Sequence, residues 1–527
     1  MNAFRKAALA ALLAGTALPA LAQDLTIGRS AEPSSIDPQF SRTGPNQMTS
    51  EMIFGRLVDF DSNLQVSPDL ATEWENEDDT HWLIHLREGV TFHDGSPFGA
   101  DDVIFSLERA DEVPNSPAPY TDQVSAIESL EKVDDLTLRV TTNAPAPTLM
   151  EDIGRVFIVS KAAVDGAASE DFDSPDTAIG TGPYRFVSWM PGEILQIEAF
   201  EDYWGEAPEF SDVEIRFIAN DAARVAALLS GAVQVIDAVP PTDVPRIEET
   251  DGVHVVSAAS GRVIYLGLSM RDDQAPGVTD ANGQPLEENP FADPNVRKAI
   301  SLMIDRQLIV DRILGGSGVP AGQLVPEVLG GYAPDLTPDE VDVEEAGRLL
   351  TEAGYPDGFG LTIYSSNDRF PGDADLAQAL AQMLSRGGLT VNGVEVMPYN
   401  VYSGRATDGE FGAFVFSLGS STPTSAPNLQ SLLHTYDPDA GLGAFNRARF
   451  SSPDFDAAIE AATQEFDEAT RLEMLQEATR IAFDQTPIVP LYWQKVHWGL
   501  AEGLTIDGGL SEDTLPQDVS RMEGASK

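Results

Sequence analysis

The chain has 527 residues, a prior of about three domains at roughly 150 residues each, and its 42% hydrophobic and 22% charged residues are the balance of a folded protein rather than a disordered one. Its 32 Lys and Arg stand against 85 Asp and Glu, a formal net charge of −53 with no local basic stripe, so a nucleic-acid duplex or an anionic membrane surface is repelled. Cysteine is absent, which excludes disulfides, thiolate metal sites, cysteine nucleophiles and a lipidated cysteine.

The N-terminus reads as a secretory signal peptide over residues 1–22: Arg5 and Lys6 form a positive region, Ala7 to Ala17 an apolar run too short to span a bilayer, and Ala20-Leu21-Ala22 an A-x-A cleavage site before Gln23. Further on, Trp82, Ile84 and Leu86 alternate with His81, Leu83 and His85, as Leu136, Leu138 and Val140 do with their neighbours, and then Val213, Ile215 and Phe217. That period of two predicts half-buried strands. Asp293-Pro294 offers a cap and a first-turn proline to one amphipathic helix carrying Val296, Ile300, Met303, Ile304 and Leu308 up to Gly315-Gly316. Further helices are predicted at Val343 to Ala353 and around Leu472, Leu475, Ala478 and Ala482, and strands at Leu361 to Tyr364 and Ile488 to Trp493. Helices and strands intermingle, which predicts an α/β architecture. Pro- and Gly-rich breaks at Val113 to Pro119, Gly180 to Pro183, Asp272 to Pro294 and Ser420 to Asn428 read as linkers or cleft loops.

Catalytic motifs are missing. No Gly precedes a Lys, so there is no phosphate-binding P-loop, and no G-x-S-x-G nucleophile elbow occurs. Gly316-Ser317-Gly318 follows a helix and runs into Pro320, the wrong setting for a dinucleotide fingerprint. His81 and His85 share a predicted strand, where four residues span roughly 13 Å, too far for one metal ion. Paired carboxylates of the glycosidase kind cannot be singled out among 85 acids. An exported multidomain chain without a catalyst leaves binding in an interdomain cleft as the simplest role.

Phe54 to Ala110 contains FGRLVDFDSNLQVSPDLATEWE and then WLIHLREGVTFHDGSPFGADDVIFSLERA. GTGPYRFVSW, DYWG, VRKAISLMIDRQLIV, EAGYPDGF and IVPLYWQ follow in order. Together these resemble the family 5 extracellular solute-binding proteins of ABC transporters, the group of dipeptide-, oligopeptide- and nickel-binding proteins. The resemblance implies a periplasmic binding protein-like α/β fold of two lobes with a hinge and an extra domain. Mapped onto this chain, domain I is residues 23–52, 181–262 and 490–527, domain II is 53–180 and domain III is 263–489. It further implies a monomer that performs no reaction, needs no cofactor, binds a short peptide or peptide-like solute in the periplasm, and docks on the permease and ATPase subunits of the inner membrane. An opine, oligosaccharide or metal chelate as solute, a chemosensory ligand presenter, and an exported hydrolase are the alternatives.

In dipeptide-type members of that family an Arg after a strand of domain III clamps the ligand carboxylate, and Arg369, next to Asn367 and Asp368, occupies the matching place. A guanidinium fork suits a carboxylate, although an inter-lobe salt bridge would use it equally well. The family's next motif, where Trp precedes an acid that holds the ligand ammonium, is altered here: Leu418 stands in the Trp place and Ser420, Ser421 and Thr422 where the acid belongs. An ordinary free-amine peptide therefore lacks its anion, unless Asp368 substitutes, and the three hydroxyls are available for hydrogen bonds.

Overall fold

The computed structural model describes residues 23–271, 275–280, 283–367, 369–438 and 440–522; the predicted signal peptide lies outside them. Eleven strands form one continuous sheet. Its order is Thr390–Met397, Gly360–Ser366, Ala413–Leu418, Val253–Leu268, Val489–Ala501, Val235–Ile236, Gln23–Arg29, Phe210–Phe217, Ile194–Ala199 and Tyr184–Met190, with Gly318–Pro320 also paired to Val489–Ala501. Two long antiparallel strands, Val253–Leu268 and Val489–Ala501, thus run from one half of the molecule into the other.

Strand alternation sorts the second half into an α/β sandwich. Val263 and Tyr265 face one apolar cluster with Phe414 and Phe416, while Ile264, Leu266 and Leu268 face another with Val415 and Ile363. Helices cover both faces, among them Asp373–Arg386 on one and Glu468–Phe483 on the other. The first half has a separate core around Leu25, Ile27, Tyr184, Val213 and Trp498. A third core belongs to a four-stranded antiparallel sheet, Ala71–Asp78, His81–Leu86, Thr137–Thr142 and Ile127–Asp134, backed by the helix Ala100–Arg109. Trp82, Ile84 and Leu86 point into it as their alternation predicts, which puts His81 and His85 on its other face. The hairpin Val58–Phe60 and Val66–Pro68 and the small sheet both touch the second half: Leu64, 3% exposed in the hairpin's turn, sits in the second half's apolar cluster, and the rings of Trp82 of the sheet and Phe466 lie 6.3 Å apart.

Two expectations are corrected. The helix predicted as one run past Pro294 is two, Pro294–Leu302 and Arg306–Arg312. Asp305 breaks it by capping the second helix, its Oδ1 accepting the Leu308 N–H at 2.9 Å, while the buried Arg306 guanidinium reaches back to the carbonyl oxygens of Ser301 and Pro490. The strand predicted to end at Trp493 continues to Ala501, because Val496, Trp498 and Leu500 keep alternating within the first half's core.

A cluster of acids, Glu51, Asp59, Asp69, Asp513 and Asp518, gathers around Arg56 where the first half meets the small sheet. Burial first, and then neighbouring carboxylates, push Asp69 up to about 7 and Asp518 to about 8 and raise Asp513 likewise, while burial raises Glu51 against the opposing charge of Arg56. Acids whose folded values lie above their unfolded ones stabilise the fold at low pH and lose that contribution as pH rises through the folded values. His93 acts oppositely: burial lowers it to about 4, so its contribution is lost as pH falls below the unfolded value near 6.5. Stability is therefore expected to rise by on the order of 2–3 kcal/mol between pH 8.5 and 6.5, a few degrees in Tm, with His93 offsetting part of the further rise below pH 6.5. Calorimetric scans that are flat or falling over that interval would contradict this.

Candidate inter-lobe binding site

Where the two long strands pass between the halves, their pairing is broken. Ala259 faces Lys495 and Val263 faces Trp493, so Ser260, Gly261 and Arg262 bulge opposite the single residue Gln494. The bulge is pinned from two sides: the Gly261 carbonyl oxygen accepts the Ser420 N–H at 3.1 Å, and its N–H reaches the Leu510 carbonyl oxygen at 3.4 Å. Such a bulge on two otherwise regular strands is a natural flexing point between bodies with separate cores.

A cavity of about 390 Å³ lies beside it, lined by Ser30 and Asp237 from the first half, Arg369 and Tyr492 from the second, and Gln494, Lys495 and His497 from the crossing strand. Its volume is within the range of about 300–1,000 Å³ usual for small-molecule sites. Asp237 ends a short strand and is fastened there: its Oδ1 accepts the Ser30 N–H at 2.8 Å, its Oδ2 the Ser30 hydroxyl at 2.9 Å, and Arg224 Nε stands 3.3 Å away. Burial raises its pKa, and Arg224 partly opposes the rise. Glu512 meets Arg262 with both carboxylate oxygens at 3.2 Å and accepts the Ser260 hydroxyl. Glu512 and its cavity neighbour Ala238 have φ of +65° and +45°, left-handed conformations that cost such residues about 1–3 kcal/mol and that cluster at functional sites.

Among the described residues Arg369 has no salt-bridge partner, and it is held by its loop. Asp373, 3% exposed at the start of the helix Asp373–Arg386, accepts the Arg369 N–H at 3.1 Å and the Ser366 hydroxyl at 2.7 Å, while the Arg369 guanidinium rests 4.9 Å above the Tyr399 ring. A cation over an aromatic face keeps its donors free for an anion. His497, 6% exposed, shares a 2.6 Å hydrogen bond between Nδ1 and the Ser257 hydroxyl. Burial, and then Lys495, lower its pKa.

Of the described residues proposed from the sequence as ligand contacts, only Arg369 lines this cavity. Asn367 is exposed on the same loop, and Asp368 lies outside the described residues. Leu418 packs against the aromatic cluster of the second half. Ser420 is buried with its hydroxyl accepting from Asn428 at 2.8 Å, Ser421 is exposed, and Thr422 donates to the Thr424 carbonyl oxygen at 3.0 Å. Asp237, Gln494, Lys495, His497 and Glu512 were not singled out by sequence. Among the described residues, no group of His, Asp and Glu is arranged to hold a metal ion, and no helix is long and apolar enough to cross a membrane.

Residues 65–439 match the bacterial extracellular solute-binding proteins, family 5, middle region. The chain belongs to that family. It is 27% identical over 472 residues to heme-binding protein A of Haemophilus influenzae, covering 84% of this chain and 82% of the relative. It is 26% identical over 499 residues to the dipeptide-binding protein of Escherichia coli, with 88% of each covered. The solved structure of HbpA2 from Haemophilus parasuis superposes with a TM-score of 0.81 at 24% identity, over 95% of this chain and all of that one, which establishes the shared fold. As a family 5 binding protein, then, the chain is built of two lobes, and the bulged strands with their cavity lie between them.

Proposed function

We propose that this family 5 protein is the periplasmic binding component of an ABC importer, holding a short peptide or peptide-like solute between its lobes and delivering it as a monomer to the membrane permease and ATPase. The observation that carries this reading is the 390 Å³ cavity at the lobe crossing, which presents Arg369, a pre-positioned anion receptor. The family includes a dipeptide-binding relative. The domain limits 23–52, 181–262 and 490–527 for domain I, 53–180 for domain II and 263–489 for domain III suit this role: the bulge at residues 260–262 falls at the I–III boundary and the small sheet lies inside domain II. Export by the segment 1–22 suits it as well, since the strand Gln23–Arg29 begins at the predicted cleavage point.

Mass spectrometry of small molecules released by denaturing protein purified gently from its native host tests the proposal. A discrete peptide or peptide-like mass is expected. A sugar, a heme or a metal chelate would overturn the solute class, and consumption of any released compound by the refolded protein would overturn the binding role itself.

A further inference from the structure

The charges at the inter-lobe cavity run against those of the chain. Two carboxylates line it, and both are already matched: Asp237 by Arg224 and Ser30, Glu512 by Arg262 and Ser260. Two cations line it, and among the described residues neither has a carboxylate partner: Arg369 lies over Tyr399, and Lys495 Nζ reaches only the Gly316 carbonyl oxygen at 3.4 Å. In a protein of net charge −53, the unmatched charge at this one cavity is positive.

Two further polar atoms here are buried without a protein partner, Nε2 of His497 and Oε1 of Gln494. His497 is 94% buried and its ring is fixed through Nδ1 by Ser257, which leaves Nε2 as its unpaired nitrogen. Unpaired buried polar atoms cost about 1–3 kcal/mol each, and in native proteins they are few. Both belong to the strand that crosses between the lobes, so whatever pairs with them also bridges the hinge.

Resting on the function proposed above, we propose that the solute is an anion without a free ammonium, its carboxylate lying between Arg369 and Lys495 and an adjoining hydrogen-bonding group meeting His497 and Gln494. Among the described residues, an ammonium placed in this cavity would face two unmatched cations and two carboxylates already paired, and an uncompensated buried charge costs several kcal/mol. A blocked amine, such as an N-acyl group, turns that liability into a neutral amide able to pair with the Gln494 oxygen.

Calorimetric titration of the exported chain with four compounds tests this: alanyl-alanine, its amide, N-acetyl-alanyl-alanine, and the amide of the latter. The N-acetylated acid is expected to bind at least tenfold tighter than alanyl-alanine, with neither amide binding. Lys495→Gln is expected to weaken the N-acetylated acid at least fivefold while leaving the Tm of the unliganded protein unchanged, and Lys495→Arg to restore most of it. Equal or tighter binding of alanyl-alanine overturns the anion proposal but leaves the binding role standing. Preference for either amide does the same. No heat from any of the four compounds overturns both the peptide-like reading of the cavity and the proposal built on it.

Discussion

Arg369→Ala is expected to weaken the binding of a carboxylate solute by more than tenfold, because truncating one partner of a desolvated, hydrogen-bonded charge pair costs about 2–5 kcal/mol. The effect is specific to binding. In the unliganded protein the Arg369 side chain is exposed and its described contacts are the Tyr399 ring and a backbone bond to Asp373, which alanine keeps. The Tm without ligand is therefore expected to stay within about a degree of the parent, as for surface substitutions. Arg369→Lys should fall between the two, since an ammonium supplies the charge without the planar fork. Calorimetry showing an unchanged Kd for Arg369→Ala would remove this residue from the site, and with it the main electrostatic argument for an anionic solute.

How much of this was legible beforehand follows from what each residue answers to. Elements packed on a single core announce themselves by period: Trp82, Ile84 and Leu86 alternate because one face of their sheet is wet, and Val343–Glu352 was legible from its spacing and its Gly354 stop. Periodicity merges the two helices after Pro294 because Met303 and Ile304 keep the apolar period through a break made by Asp305, and a capping aspartate inside an amphipathic run is invisible to it. Arg369 was reached through a motif. Gln494, Lys495 and His497 escape a pattern reading because polar residues begin after Trp493 and look like a strand end; at a lobe crossing neither strand face is continuously buried, so polar residues there mark the site rather than the strand end. The alternation of Lys495 and His497 with Val496 and Trp498 was the available signal. Asp237 and Glu512 offered none, being two acids among 85 that are distinguished only by the arginines they meet in three dimensions.

The opposite pattern, lost stability with intact affinity, is expected of Gly180→Ala. Here the chain crosses back beneath the end of the helix Gly44–Ile53, and a β-carbon on Gly180 would collide with the Ile53 carbonyl oxygen while lying 2.8 Å from its carbon and 2.9 Å from Phe54 Cα. All three are backbone atoms, so no side-chain rotation relieves the overlap. Gly182, two residues on, is equally confined, 2.6 Å from the Ile53 carbonyl carbon, and its N–H donates to the Ile53 oxygen at 3.0 Å. His93 closes the crossing from outside. Its Nδ1 accepts the Gly180 N–H at 3.3 Å, which leaves Nε2 to donate to the Gly182 carbonyl oxygen at 3.0 Å and requires the neutral ring that burial enforces by lowering its pKa to about 4. The two stretches FHDG and GTGP thus form one clasp between the first lobe and the small sheet, and none of His93, Gly180 and Gly182 lines the binding cavity. Forcing a methyl into it is expected to cost about 3 kcal/mol or more, the upper end of overpacking. Gly44→Ala, where nothing lies within 4 Å, is expected to stay within about 0.5 kcal/mol of the parent. Urea unfolding compares the two, and equal midpoints would refute the clasp; a changed Kd in the folded fraction of Gly180→Ala would instead tie the crossing to the lobe closure from which it is here separated.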